Sequence, residues 1–376
     1  MERKPISQWT LVLTGLLIAG CTLSSPAPNP TATSPVVGTE RLPIPGTTPP
    51  ILNTVTPENL SGATLAPRET EQVSQPVIKI LEFPVPDGSR PHDVAPAPDG
   101  SVWYTAQGSG ELGRLDPVTG ETDHIPLGQG SAPHGVIVGP DGAAWITDGG
   151  LNAIVRFDPQ TEAIQTFPLP EGSGYANLNT ATFDGEGTLW FSGQSGVYGR
   201  LDPATGQLEV FEAPGGRGPY GITTTPQGEV YYASLAGSYV GHIDVESGSA
   251  EVLVPPTQDQ GARRVWSDSD GRIWVSEWNA GQLGMYDPVT DTWREWRLPG
   301  DRPQPYAVYV DERDQIWISD FGANALVRFD PQVEEFEVYT LPSAPANVRQ
   351  LLGRPGEVWG AESGTDQLVV IRTDQD

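Results

Sequence analysis

PHGVIVGPDGAAWITDGGLNAIVRFDPQTEAIQTFP, residues 133–168, holds four short apolar or β-branched runs: Gly135 to Val138, Ala144 to Thr147, Ala153 to Phe157 and Ile164 to Phe167. Each run is strand-length and bounded by turn chemistry. Pro140-Asp141-Gly142 joins the first two, with glycine free to take the positive φ of a tight hairpin, and Asp158-Pro159 opens the turn between the third and fourth. The segment therefore reads as four antiparallel strands joined by hairpins.

The same unit recurs through the chain. The aromatic residue of the second run reappears at Trp103, Trp145, Trp190, Tyr231, Trp274, Trp317 and Trp359, at intervals of 41 to 45 residues, which gives seven units. Asp-Pro pairs recur at Asp116, Asp202, Asp287 and Asp330. A helical solenoid of this period needs amphipathic helices, and the sequence has none. The pattern predicts an all-β, seven-bladed β-propeller of four-stranded antiparallel blades. The last unit runs out after Val369-Val370-Ile371, while Ile80-Leu81-Glu82-Phe83-Pro84 matches a fourth strand. An amino-terminal strand is thus expected to complete the seventh blade and close the ring without a free edge.

The domain occupies residues 77–376. Before it, Arg3 and Lys4 precede an apolar run from Leu11 to Ile18, and Ile18-Ala19-Gly20-Cys21 ends in the single cysteine of the chain. Residues 1–21 read as a signal peptide, too short in its apolar part to span a bilayer. Its ending resembles the bacterial lipobox, which makes Cys21 the expected lipid attachment point and the protein extracytoplasmic and membrane-anchored. Residues 22–76, rich in Pro, Ser and Thr and free of Phe, Tyr and Trp, read as a disordered tether.

Composition limits the chemistry. With 21 basic against 48 acidic residues the formal net charge is −27, which opposes nucleic-acid binding. One cysteine excludes a disulfide framework and cysteine-rich metal sites, and four histidines leave few ligands for a histidine-rich one.

A propeller collects the start of each first strand and the end of each second strand around one mouth of its channel. A spacing of 14 residues pairs His92 with Ala106, His134 with Asp148, Asn179 with Gly193, Tyr220 with Ser234, Arg263 with Glu277, Tyr306 with Asp320 and Val348 with Glu362. His92 and His134 put two imidazoles on adjacent blades, and a histidine facing a carboxylate, as His134 faces Asp148, can act as base with the carboxylate as orienter or metal ligand; Glu277, Asp320 and Glu362 are alternative carboxylates around the mouth. Tyr220, Arg263, Arg264 and Tyr306 are candidate ligand-binding groups. The same polar ring can also serve simply to cap the channel. Asp268-Ser269-Asp270-Gly271 has the start of a calcium loop without its glutamate and reads as a hairpin turn. His124 and His242 fall in outer strands, away from the mouth.

Pro-His-Gly-Val, Gly-Pro-Asp-Gly, Trp-Ile-Thr-Asp, Arg-Phe-Asp-Pro and Phe-Pro-Leu-Pro together resemble the repeat of the virginiamycin B lyase (streptogramin lyase) family over residues 78 to 372. The resemblance implies a magnesium-dependent carbon–oxygen lyase that opens a cyclic depsipeptide at its ester by elimination. It matches the family's two functional histidines to His92 and His134, with His134 as the base and His92 orienting substrate, and matches an acidic metal ligand to Asp148. Two departures accompany it. Ala132 replaces the family's acidic residue just before Pro-His, and the histidine pair lies in the first two blades instead of late ones.

Three functions follow as expectations: a lyase acting on a cyclic ester or depsipeptide with Mg2+, a non-catalytic tethered propeller that binds an envelope peptide or glycan, and a metal-dependent lactone hydrolase. Each takes a small-molecule or peptide ligand at the mouth of a monomer.

Overall fold

The computed structural model describes residues 78–373. The expected signal peptide, Cys21 and the tether lie outside the described residues. Within them the chain forms 28 strands in seven four-stranded antiparallel sheets and no helix. Blade 2, whose sequence opened the reading, consists of Pro133–Val138, Ala144–Asp148, Ala153–Asp158 and Ala163–Pro168, within two residues of the expected runs.

Closure occurs as the sequence indicates. The strand Lys79–Pro84 pairs antiparallel with Gln367–Arg372, so that the seventh sheet joins both ends of the domain, with Ile80 opposite Ile371 and Phe83 opposite Leu368. This arrangement leaves blade 7 four-stranded like the others.

Hydrophobic clusters fill the spaces between adjacent sheets, each drawing on the second-strand aromatic of a blade. Trp103, Trp145, Trp190, Trp274, Trp317 and Trp359 are almost wholly buried. A buried indole must still place its N–H. Trp145, Trp190, Trp274 and Trp317 donate to Asp141, Asp184, Asp268 and Asp311 in their own hairpins, and Trp359 donates to Glu357. The repeated hairpin acid therefore fixes both the turn and the tryptophan. At Asp268 the same carboxylate also accepts the backbone N–H groups of Asp270 and Arg272 and the Arg272 Nε, which establishes the turn reading of that segment.

The first strand of every blade carries a β-bulge near its start. In blade 1 Pro91 pairs with Ala106 and Val94 with Tyr104, so His92 and Asp93 together oppose Thr105; the same shift occurs in the other six. A bulge leaves backbone groups unpaired and turns side chains out of the regular alternation. Here a hydroxyl on the second strand repairs the loss. Thr105 Oγ1 accepts the Asp93 N–H at 3.0 Å and donates to the His134 carbonyl of the next blade at 2.9 Å. Thr147, Ser192, Ser276 and Ser319 make the equivalent double link, while blades 4 and 7 carry Ala233 and Ala361 at that place.

Ser319 accepts the Ala307 N–H at 2.9 Å and donates to the Val348 carbonyl at 2.7 Å. Ser319→Ala strands both buried backbone groups, each worth about 1–3 kcal/mol when unsatisfied. We expect a loss of about 2–4 kcal/mol in urea unfolding with an unchanged m value. Ser319→Thr, which keeps the hydroxyl, recovers most of it.

Candidate functional site

The bulge stacks two rings of side chains at one mouth of the channel. The outer ring contains His92, His134, Asn179, Tyr220, Arg263, Tyr306 and Arg349; the inner one contains Asp93, Gly135, Thr180, Gly221, Arg264, Ala307 and Gln350. Contacts across the axis show that these side chains converge. The Tyr220 and Tyr306 hydroxyls, from blades 4 and 6, share a very short hydrogen bond. Arg264, from blade 5, reaches Asp93 of blade 1 at 3.0 Å and the Thr180 hydroxyl of blade 3.

Sequence spacing names the outer ring in six blades but sets the strand pairing one residue off. Six first-strand partners lie 15 residues before the end of the second strand, as Pro133 does opposite Asp148; only Val348 and Glu362 pair as expected. The histidines therefore lie just beyond their assigned partners. In blade 7 the hairpin is shorter, with Arg354 directly opposite Glu357, and the outer-ring residue is Arg349 instead of Val348. Asp93, Thr180 and Arg349 are consequently site residues that the spacing argument passed over. Taking the two residues that follow the first-strand partner of the second-strand end in each blade, without assuming a constant hairpin, would have found them.

The imidazoles of His92 and His134 lie against each other with centroids 3.7 Å apart. Their hydrogen bonds differ. His134 Nδ1 donates to the Asn179 carbonyl at 3.1 Å, and its Nε2 accepts the Asn179 side-chain amide at 3.1 Å. The amide orientation is fixed in turn, because the Thr180 hydroxyl, receiving Arg264, donates to Asn179 Oδ1 at 2.8 Å. This directional chain holds His134 as the neutral Nδ1–H tautomer with both nitrogens occupied. His92 Nδ1 meets Asp93 Oδ1 at 2.8 Å, and its Nε2 has no hydrogen-bond partner among the described residues.

Burial pushes the pKa of His92 well below the usual histidine value, and Arg264, Arg349 and Arg263 add to that. Burial does the same to His134, with the neighbouring His92 next in effect. Both rings are neutral at neutral pH. Burial raises the Asp93 pKa, an effect that the Arg264 cation counters only in part. Arg264 is itself penalised by burial, but Asp93 and the tyrosines opposite carry its pKa above the ordinary value. Burial also raises the Tyr220 phenol, to about 12, whereas the three guanidiniums outweigh burial at Tyr306 and bring it below the usual tyrosine value.

The guanidiniums are held by aromatic faces. Arg263 lies 3.6 Å from the Tyr306 ring centroid and 4.7 Å from those of Tyr220 and Trp278, and donates to the Tyr220 hydroxyl at 3.2 Å. Arg349 donates to the Tyr306 hydroxyl at 3.4 Å and to Ser363 at 2.6 Å. Arg263 Nε is buried without a hydrogen-bond partner. Beside this mouth Trp278 and Phe321 wall a cavity of about 720 Å³, and the opposite end of the channel opens into one of about 700 Å³ walled by Ile137, Phe183, Ile222, Trp266 and Leu352.

The four carboxylates named from sequence end the second strands of their blades, opposite the residues that precede the outer ring. Asp148 accepts the Ser131 hydroxyl and the backbone N–H groups of Ala132 and Leu151, the last two at 2.9 Å, so it caps the loop that leads into His134. Asp320 caps the equivalent loop through the N–H groups of Gln304 and Gly322. Glu277 Oε2 accepts Gln282 Nε2 at 2.6 Å while Oε1 lies over Gly284, where an added Cβ would sit 2.6 Å away. Glu362 accepts the Thr365 hydroxyl at 2.8 Å. His124 and His242 pair with Glu111 and Glu229, outside the site as expected.

The resemblance implies magnesium, which takes hard oxygen ligands in near-octahedral geometry. Among the described residues the one group of three with ligating atoms within 4.8 Å is His92, Asp93 and His134. Its two imidazoles suit a softer ion. His134 is occupied on both nitrogens, Asp93 is paired with Arg264, and three guanidiniums share the space. This donor set does not fit a protein-held magnesium ion.

Fold and site define a seven-bladed propeller with a pair of adjoining histidines and a guanidinium cluster at one axial mouth. The chain belongs to the virginiamycin B lyase family, whose model matches residues 71–292. Among solved structures a streptogramin B lyase superposes with a TM-score of 0.72 at 22% identity, over 78% of this chain and 97% of that one. A Staphylococcus aureus virginiamycin B lyase, a catalytically inactive histidine-to-alanine variant with quinupristin, gives 0.73 at 20%, over 79% and 100%. YCF48 bound to a D1 peptide gives 0.63 at 16%, over 78% and 97%. At these identities the likeness establishes the fold. No curated protein sequence matches.

Glu277 supplies a test that is independent of ligand. Burial raises its carboxyl to about 8, against 4.5 for a free side chain; Gln282 lowers it and Glu295 raises it by smaller amounts. The folded state thus favours the protonated form. That contribution is complete below pH 4.5 and is lost as pH rises towards 8, with Glu362 acting likewise up to about 7. Glu277→Gln should flatten the fall in urea-unfolding stability between pH 5 and 8.5, by an amount on the order of a few kcal/mol.

Proposed function

We propose that the protein is a carbon–oxygen lyase that opens a cyclic ester or depsipeptide by elimination, with His92 as the general base. The observation that carries this reading is the asymmetry of the two imidazoles. His92 is anchored through Nδ1 on Asp93 and keeps an unpartnered Nε2, whereas His134 has no lone pair left. A base oriented by a carboxylate through its other nitrogen is the arrangement proton abstraction requires. The roles implied by the sequence resemblance are therefore exchanged: His134, stacked on His92, positions the base.

In the reaction His92 Nε2 takes the proton α to an acyl carbonyl. The C–H electron pair becomes the new C=C bond, and the C–O bond breaks with its pair leaving on the ester oxygen as a carboxylate. Asp93 stabilises the imidazolium, and Arg264 keeps Asp93 in place. The catalytically inactive histidine variant of the Staphylococcus aureus relative supports a histidine-dependent reaction in the family. The proposal includes the lipid anchor at Cys21 and an extracytoplasmic location, which Cys21→Ser tests by moving the protein from the membrane to the soluble fraction.

Incubation with a type B streptogramin should give a linear product of unchanged mass, whereas hydrolysis would add one water. His92→Gln should lower kcat by about 10²–10⁴-fold, and His134→Gln by less. A larger loss in His134→Gln than in His92→Gln would return the base to His134. Because burial and three guanidiniums hold His92 below the usual histidine pKa, the acid limb of kcat/KM should fall below pH 6.5. Absence of turnover under all these conditions, with carboxylate-bearing ligands still bound, leaves the binding reading in its place.

A further inference from the structure

We infer that Arg263 and Arg349, mounted on the Tyr220–Tyr306 pair, form a carboxylate subsite that does electrostatically in this protein what a divalent cation would otherwise do. The inference rests on the elimination reading for its role but not for its existence. Elimination at an ester releases a carboxylate, and charge develops on that oxygen pair as the C–O bond breaks. The group that receives it should be cationic, planar in its donors and fixed before the reaction.

Arg263 and Arg349 meet those requirements. Arg263 lies between the faces of Tyr306, Tyr220 and Trp278, which immobilise the guanidinium without neutralising it. Its Nη2 is used on Tyr220 and its Nε is buried without a partner, while Nη1 is engaged by no hydrogen bond among the described residues and is the donor left for a ligand. Arg349 approaches the same phenol pair from blade 7 and donates to Tyr306 at 3.4 Å. Neither forms a salt bridge within the described chain, and both are partly accessible, whereas Arg264 behind them is buried and paired with Asp93. Three guanidiniums thus face one carboxylate at the axis of a protein whose formal net charge is −27. Trp278, whose ring holds Arg263, also packs edge-to-face on Phe321, and the two together wall the neighbouring cavity and offer an aromatic surface to the body of the ligand. The structure therefore points to an organic carboxylate carrying an apolar or aromatic group.

The test compares N-acetyl-L-phenylalanine with its neutral amide by isothermal titration calorimetry, in EDTA and again with excess magnesium. The acid should bind in EDTA at least about tenfold more tightly than the amide, and magnesium should not strengthen it. Arg263→Met, which keeps the packing stem, should weaken the acid by about tenfold or more and leave the amide unchanged. His92→Gln should retain the difference between acid and amide. Equal affinity for acid and amide, or binding of the acid only with magnesium, overturns the subsite. Streptogramin turnover without preferential carboxylate binding also overturns it while leaving the lyase reading intact; carboxylate binding without turnover does the reverse.

Discussion

A bulge in the first strand of each blade, held by a hydroxyl on the second, is the constraint on which the site depends. A regular strand would alternate its side chains between the two inter-blade cores and offer the axis little. With two residues opposite one, successive positions such as His92 and Asp93 both reach the channel. The extra peptide would be costly if its N–H were orphaned, and Thr105, Thr147, Ser192, Ser276 and Ser319 remove that cost while tying each blade to the next. The stitching that positions the rings is therefore also part of what holds neighbouring blades in register.

Around that scaffold the chemistry is distributed unevenly. Blades 1 and 2 contribute imidazoles, blades 4 and 6 phenols, and blades 5 and 7 guanidiniums. Arg264 links these sectors, since one side chain reaches Asp93 behind the base and Thr180 at the head of the chain that fixes His134. A buried ion pair of this kind is weak grounds for stability, because the desolvation it incurs is comparable to what it returns. Its value is in orientation: it fixes the tautomer of His134, both of whose nitrogens are engaged, and holds Asp93 on His92 Nδ1 so that Nε2 of His92 is the one left free. The proposed base and the proposed carboxylate subsite are then two sides of one arrangement, in which Arg264 is spent on positioning and Arg263 and Arg349 keep donors for a ligand.

Much of the fold was legible because propeller physics is periodic. The second-strand aromatics, the hairpin acids and the split seventh blade each leave a mark in sequence, and the strands fall within a residue or two of it, as in blade 2. The rings were legible only in part. His92, His134, Tyr220, Arg263, Arg264 and Tyr306 are where the pattern places them, at the mouth. Arg349 was not, because counting back a fixed 14 residues fails where Pro355 and Gly356 make a shorter hairpin. Asp93 was passed over because strict strand alternation turns it away from the axis, and a bulge has no composition signal of its own.

The carboxylates show a deeper limit. Asp148 follows Trp-Ile-Thr in sequence as a metal ligand would, and Asp320 follows Trp-Ile-Ser in the same way. What separates a ligand from a cap is the number of N–H donors that the incoming loop aims at it. Asp148 already receives Ala132 and Leu151 together with the Ser131 hydroxyl, and Asp320 receives Gln304 and Gly322. Each additional donor fixes the carboxylate where it stands and removes a lone pair that a cation would need, on both oxygens of Asp148 and on Oδ1 alone at Asp320, whose Oδ2 is buried without a partner. Ala132 makes the point locally: at the position where the resemblance leads one to expect an acid, a backbone N–H faces Asp148 and the side chain contributes nothing ionic. An alanine at 132 and three guanidiniums at the mouth are therefore mutually consistent, since an acidic ring without a cation, or a cation among three arginines, would each leave like charges facing one another in a buried space.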